Sequence, residues 1–222
     1  MIKAILFDLD NTLIDFMKIK KASCSSAVSA MIKAGLKTNR RKALKVLYEL
    51  YDKYGIEYQY IFQRFLKKYR REVDYKILTA GIDAYRKKQL TMQKPYPQVI
   101  STLKKLRKKG LKLAIVSDAP RLKAWTRLTE LGIQDYFDVV VTHGDSKARK
   151  PSKLPFEKAL KVLKVKPEEC LMVGDNPERD IIGAKRLGMK TCFAKYGWNE
   201  KNNDITCDYV IREVGALINI LK

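Results

Sequence analysis

The chain has 222 residues, 46% of them hydrophobic, which is enough to bury one large core, with or without an inserted smaller domain. No stretch approaches the roughly 18 consecutive apolar residues of a membrane span, which excludes that class of membrane protein. Acid follows the first apolar run without a small-residue cleavage site, so no secretory leader is predicted and a cytoplasmic location is expected. The net charge of +22 suggests a nucleic-acid partner, because a basic surface attracts phosphates. However, the basic residues are spread along the chain without a recognisable nucleic-acid module, which favours the lysine-rich surface of a heat-adapted protein.

The opening segment KAILFD predicts a buried strand, because it is a short apolar run that ends in an acid. Residues 15–94 instead predict helices throughout, over 18–35, 39–55, 58–73 and 75–90. Apolar side chains recur there at three- and four-residue spacings, as at Leu44, Leu47 and Tyr51. We therefore expect an inserted all-helical cap domain over 15–94.

From residue 95 onward, strands alternate with helices. Strands are predicted over 110–118, 138–142, 170–175, 190–195 and 208–211, and helices over 119–132, 155–165 and 176–189. Gly132 marks a helix end, and Asn176 with Pro177 marks a helix start. Such alternation is typical of right-handed βαβ units. The predicted fold class is therefore α/β: a Rossmann-like parallel sheet with helices on both faces, formed by 1–14 and 95–222.

Polar residues cluster where the predicted strands end. The carboxyl ends of parallel strands meet at one edge of a sheet, where ligands bind. Four motifs reach this edge in order: Asp8 in ILFDLDNT, Ser117 in VSDA, Lys150 in ARKP and Asp175 in GDNPERD. Because alternate strand residues point the same way, Asp8 and Asp10 can converge on one site while Leu9 turns into the core. Each residue alone fits an ordinary turn, helix cap or surface position, but the ordered set indicates a site.

This ordered set resembles the haloacid dehalogenase superfamily, in particular its phosphatase branch with a helical cap after the first strand, as in phosphoglycolate phosphatases. The resemblance covers essentially the whole chain. It implies Mg²⁺-dependent hydrolysis of a small phosphorylated metabolite. It also implies that Asp8 binds the metal and attacks phosphorus to form an aspartyl-phosphate. Asp10 would protonate the leaving alkoxide, then activate water, and bind the metal through its backbone carbonyl.

The same resemblance assigns supporting roles. Ser117 and the backbone N–H of Asp118 would hold phosphoryl oxygens, Lys150 would neutralise charge on the nucleophile and the transferred group, and Thr12 would support substrate binding. Asp175 would be a direct metal ligand, with Asp180 acting through water or a hydrogen bond. Arg179 departs from the family pattern, which often has Asn at this position beside the metal site.

Asp10 narrows the branch of the superfamily. Dehalogenases lack an acid two positions after the nucleophile, and the membrane transport ATPases carry Thr there. A sugar-phosphate mutase remains an alternative, since the basic run of Arg40, Arg41 and Lys42 could hold a second phosphate. The alternative from a different class is a nucleic-acid-binding protein that keeps a phosphatase fold.

Several features have more than one interpretation. His143, the only histidine, could touch substrate or serve a loop. The tyrosine-rich run over 48–62 could stack on a ring but is more typical of helix-bundle core. The four cysteines lack paired metal-binding spacing, which favours free thiols over zinc. The substrate and the choice between monomer and dimer stay open.

Overall fold

The computed structural model describes residues 1–198 and 206–221. In this part of the chain, six strands form one parallel sheet in the order β3-β2-β1-β4-β5-β6. Their bounds are β1 (Ala4–Phe7), β2 (Lys112–Val116), β3 (Val139–Val141), β4 (Cys170–Gly174), β5 (Lys190–Ala194) and β6 (Tyr209–Ile211). All six predicted strands are confirmed, each within slightly narrower bounds.

Helices fill the connections. They are α1 (Phe16–Lys33), α2 (Arg40–Tyr54), α3 (Ile61–Leu66), α4 (Tyr75–Met92), α5 (Val99–Lys108), α6 (Arg121–Leu131), α7 (His143–Ser146), α8 (Lys153–Leu163), α9 (Gly183–Lys185) and α10 (Leu217–Ile220). A π-helical segment, Pro177–Ile182, leads into α9. Short 3-10 segments cover Gln134–Tyr136, Pro167–Glu169, Lys195–Gly197 and Val214–Ala216.

The central strand of the sheet, β1, lies between β2 and β4, with Phe7 opposite Ile115 and Val173. All residues of β1 and β4 are buried, as expected for a parallel sheet covered on both faces. Phe156 of α8 belongs to the apolar cluster on one face. The α/β Rossmann-like fold class is confirmed. The segments that follow β1, β2 and β4 lie at one edge of the sheet.

The chain divides into two compact units. One comprises Met1–Asp15 and Lys94–Lys222, and the other comprises Phe16–Gln93. The second unit has its own apolar core, in which Leu47 and Phe65 are fully buried. A cap function for this unit stays a prediction.

Two predictions about the helical unit can be judged directly. The helix predicted over 58–73 is wrong in extent, because only Ile61–Leu66 is α-helical. After Leu66 the α-helix gives way to hydrogen-bonded turns at a run of basic side chains, because like charges repel each other along a helix. The prediction that the tyrosine-rich run packs inward is confirmed for Tyr51, which is 4% exposed, whereas Tyr60 is exposed.

The thiols and the helix lengths also bear on the sequence predictions. All four cysteines are free, and Cys24, Cys170 and Cys192 are buried. Among the described residues, no helix combines the length and apolar character needed to cross a membrane. The cytoplasmic location stays a prediction.

Candidate active site

The end of β1 carries the first two acidic residues of the site. The Asp8 N–H donates to Val173 O at 2.9 Å, which extends the sheet pairing by one residue beyond Phe7. Leu9 is fully buried, as predicted. The chain then turns at Asn11, which has a φ of 61° and donates its N–H to Ile14 O at 2.7 Å.

Lys150 lies within hydrogen-bonding distance of three acceptors from three parts of the chain. Its Nζ lies 2.6 Å from Asp8 Oδ1 and 2.7 Å from Asp180 Oδ1, and it donates to Val116 O at 2.7 Å. The buried ammonium is therefore paired with two carboxylates and donates to a backbone carbonyl. Burial alone would lower the pKa of Lys150, but the carboxylates of Asp180 and Asp8 outweigh this effect and raise that pKa. Lys150 is therefore a fixed cation beside the predicted nucleophile.

Three buried carboxylates converge at the same edge of the sheet. Asp8, Asp175 and Asp180 each offer one oxygen, and these atoms all lie within 4.8 Å of one another. Burial raises the pKa of Asp8 well above its usual range, although Lys150 opposes the shift. Burial and the charge of Asp180 raise the pKa of Asp175 to about 7. The carboxylates outnumber the ammonium three to one, and an all-oxygen donor set with excess negative charge suits a hard divalent cation such as Mg²⁺.

Asp180 reaches this cluster through the turn after β4. Asn176 accepts from the Arg179 N–H at 3.0 Å and donates its own N–H to Asp180 Oδ2 at 3.0 Å. The predicted helix start at Asn176 and Pro177 is confirmed. A β-carbon on Gly174 would overlap the Asp180 side chain, so glycine is required at the end of this strand.

Thr12 lies between Asp175 and an aromatic side chain. Its hydroxyl donates to Asp175 Oδ1 at 3.2 Å, and its carbonyl accepts from the Tyr196 hydroxyl at 2.7 Å. The Tyr196 ring packs edge to face on Tyr96, with ring centroids 5.0 Å apart. Thr12 therefore orients a carboxylate of the cluster, and its predicted contact with substrate stays a prediction.

Ser117 and Asp118 follow β2 at the same edge. The Ser117 N–H donates to Val141 O at 2.9 Å, and its Oγ accepts from the Ala119 N–H at 3.2 Å. Asp118 Oδ1 accepts from the Lys150 N–H at 2.9 Å. Asp118 thus fixes the backbone at Lys150. The binding of phosphoryl oxygens by Ser117 and by the N–H of Asp118 stays a prediction.

Comparison with known proteins identifies the family of this chain. Residues 5–194 match the family described as haloacid dehalogenase-like hydrolases. The chain belongs to this family.

Relatives of this hydrolase include glyceraldehyde 3-phosphate phosphatases from two archaea. The Pyrococcus furiosus protein is 36% identical over 224 residues, covering 100% of this chain and 93% of the relative. The Methanocaldococcus jannaschii protein is 36% identical over 223 residues, covering 100% and 98%. Among solved structures, a HAD phosphatase from Thermococcus onnurineus superimposes with a TM-score of 0.73 at 30% identity, covering 99% of this chain and 98% of that one. The predicted superfamily and the phosphatase class of this enzyme are confirmed.

Sequence prediction missed one charged residue of this hydrolase beside the site. Arg127 of α6 donates through its Nη1 to Asp10 Oδ2 at 2.7 Å. The signal was present: Arg127 lies on the buried face of α6 with Ala124, Leu128 and Leu131, where an apolar side chain is expected. A cation at such a position requires a partner.

Two further sequence-predicted residues lie at the same loops. Asp10 is absent from the three converging carboxylates, and its predicted metal contact through the backbone carbonyl stays a prediction. His143 begins α7, is partly buried and donates its N–H to Ala119 O at 3.3 Å. Its contact with substrate remains untested.

Proposed function

We propose that this enzyme is a Mg²⁺-dependent phosphatase that hydrolyses a small phosphomonoester through an aspartyl-phosphate on Asp8. The observation that carries the proposal is the convergence of Asp8, Asp175 and Asp180 within 4.8 Å, with the Lys150 ammonium 2.6 Å from Asp8. Such an arrangement supplies an oxygen nucleophile, an oxygen-rich cation site and a fixed positive charge.

In the first half of the reaction, an Asp8 oxygen attacks phosphorus and the bond between phosphorus and the ester oxygen breaks. Asp10 gives its proton to that oxygen, so the product leaves as an alcohol. Lys150 remains against the nucleophile, while Ser117 and the N–H of Asp118 would donate to the phosphoryl oxygens.

In the second half, Asp10 takes a proton from water, and the water oxygen attacks phosphorus. The bond between phosphorus and Asp8 breaks, its electron pair returns to the carboxylate, and inorganic phosphate leaves. Asp10 ends protonated, ready for the next turnover.

The donor set also supports the choice of metal. Asp8 and Asp175 would hold Mg²⁺ through carboxylate oxygens and Asp10 through its carbonyl, with Asp180 acting through water or a hydrogen bond. When bound, the ion would offset negative charge on the phosphoryl group. Thr12 would keep Asp175 oriented toward it.

We propose a small sugar phosphate as substrate. The two archaeal relatives described above match the whole chain and are named glyceraldehyde 3-phosphate phosphatases, so that compound is the first to test. Their names also favour hydrolysis over the mutase alternative. Because these relatives are named as phosphatases of a small soluble compound, they also favour an enzyme over the nucleic-acid-binding alternative.

The test is release of inorganic phosphate from a panel of sugar phosphates, phosphoglycolate and nucleotides, with Mg²⁺ and with EDTA. We expect metal-dependent release, with a triose phosphate among the preferred compounds. Release that is insensitive to EDTA would contradict the metal assignment. Turnover only after addition of a sugar bisphosphate would favour a mutase.

A further inference from the structure

The buried face of α6 carries one charge. Arg127 is only 5% exposed, although its neighbours on that face, Ala124, Leu128 and Leu131, are apolar. Removing a guanidinium from water is costly unless the group is paired and hydrogen-bonded. A structural role alone would be met by leucine or methionine here, so the arginine requires another explanation.

The partner of Arg127 is an acidic residue of the proposed reaction. Nη1 lies 2.7 Å from Asp10 Oδ2, with the two side chains 6% and 22% exposed. The other acidic residue after β1, Asp8, is paired with Lys150 instead. Arg127 is thus ion-paired with Asp10, and Lys150 with Asp8, so different cations contact the two aspartates of the same motif.

We propose that Arg127 is a positioning residue for Asp10, fixing which carboxylate oxygen exchanges the proton in both half-reactions. The proposal rests on the acid–base role of Asp10 proposed above. A guanidinium N–H can only donate, and the carbonyl oxygen of a carboxylic acid accepts better than its hydroxyl oxygen, so Oδ2 stays the unprotonated oxygen in this pair. A proton carried by Asp10 therefore resides on Oδ1.

Each step balances with this assignment. Oδ1–H gives its proton to the ester oxygen as the phosphorus–oxygen bond breaks, and Oδ1 later takes a proton from the attacking water. Oδ2 stays hydrogen-bonded to Arg127 throughout, so the carboxyl plane does not have to be reset between the two steps. Loss of this alignment is expected to slow proton transfer, because misplacing a catalytic group by about 1 Å can cost roughly a hundredfold in rate.

Substrates with different leaving groups provide the test. An alkyl phosphate such as glycerol phosphate needs a proton on its leaving oxygen, whereas p-nitrophenyl phosphate releases a stable phenolate. In Arg127→Met we expect kcat/KM to fall about tenfold or more for glycerol phosphate and only slightly for p-nitrophenyl phosphate. Because Asp10 also activates water, p-nitrophenyl phosphate should give a burst of p-nitrophenol followed by slow turnover.

A matched control lies on the same helix. Arg121 pairs with Asp145 and is exposed. Arg121→Met should leave the ratio of the two kcat/KM values unchanged. If Arg127→Met does not fold, as judged by its thermal melt, Arg127→Lys supplies the test, since it keeps the charge but loses the planar fork.

Asp10→Asn separates the possible failures. If it loses glycerol phosphate activity selectively and the double variant with Arg127→Met loses no more, Arg127 acts through Asp10. If Asp10→Asn is selective but Arg127→Met lowers both substrates equally, the positioning role is overturned and the proposed function stands. If Asp10→Asn itself shows no selectivity, the acid–base role fails and this inference fails with it.

Discussion

Lys150 and Asp180 form an ion pair that is almost wholly shielded from water. Nζ and Oδ1 are 2.7 Å apart, and the two side chains are 2% and 1% exposed. Such a pair is costly to break from one side, because the remaining charge is left buried without its partner. Here two carboxylates, Asp180 and Asp8, depend on the same ammonium.

Lys150→Met should therefore lower the free energy of unfolding by roughly 3 kcal/mol or more in EDTA. Urea denaturation followed by circular dichroism measures this. The control is Lys190→Met. Lys190 pairs with Asp208, and the Lys190 side chain is 55% exposed. Exposed pairs contribute about 1 kcal/mol or less. If both variants lose the same free energy of unfolding, the burial of the Lys150 ion pairs does not add to stability.

Asp8→Asn should abolish steady phosphate release while leaving the fold intact. The change is nearly isosteric, and it removes one of three mutually repelling carboxylates, but an amide cannot form the acyl-phosphate. Phosphate release over hours, together with a thermal melt, tests both parts. Asp52→Asn, a change at an exposed carboxylate, is the control and should retain full turnover. Measurable turnover by a contamination-free Asp8→Asn preparation would rule out Asp8 as the nucleophile.

Gly197→Ala should lower the free energy of unfolding by about 1–3 kcal/mol, the usual cost of overpacking. A β-carbon there would overlap the Asn11 carbonyl and lie 2.7 Å from Asp175 Cβ. Gly144→Ala is the control, because its nearest neighbour would be 3.6 Å away. Thermal melts and phosphate release of both variants decide the matter. If Gly197→Ala matches the wild type in both, the loop must relax at little cost.

Removal of metal should lower the free energy of unfolding, and added metal should restore it until the site is saturated. A ligand that binds only the folded state stabilises it by about 2.7 kcal/mol at one hundred times its Kd. We expect the midpoint of urea unfolding to rise with added MgCl₂ but not with KCl of equal ionic strength. Asp175→Asn should lose most of that response, since it removes one of the three converging oxygens. A response of equal size in this variant would place the cation elsewhere.

The sheet and most of the site could be predicted because both follow local rules. Short apolar runs that end in Asp8, Ser117 and Asp175 indicate buried strands, and parallel strands bring their carboxyl ends to one edge. The resemblance added Lys150, which no periodicity distinguishes from the other lysines. Its three acceptors, Asp8 just after β1, Val116 in β2 and Asp180 after β4, are brought together by tertiary structure alone.

The features that prediction missed depend on contacts between distant segments. Arg127 contacts Asp10 across 117 residues of sequence, and Tyr196 contacts Thr12 across 184. No helix was assigned to 99–109, although α5 (Val99–Lys108) is there. The segment predicted as a helix over 176–189 begins as a π-helical turn, in which Asp180 bends back to the N–H of Asn176. Helical periodicity does not encode this bond.

The strand order has a consequence for how the protein is made. β1, which positions the nucleophile, pairs with β2 and β4. Ala4 can therefore form its sheet pairing only after Lys112 and Cys170 have been synthesised. During synthesis the contiguous unit Phe16–Gln93, which has its own core, is complete before β2 has been made. The first strand is thus synthesised well before either of the neighbours that hold it in the sheet. The three converging carboxylates can come together only after Asp180 has been synthesised, so translation that stops earlier cannot give the complete cluster.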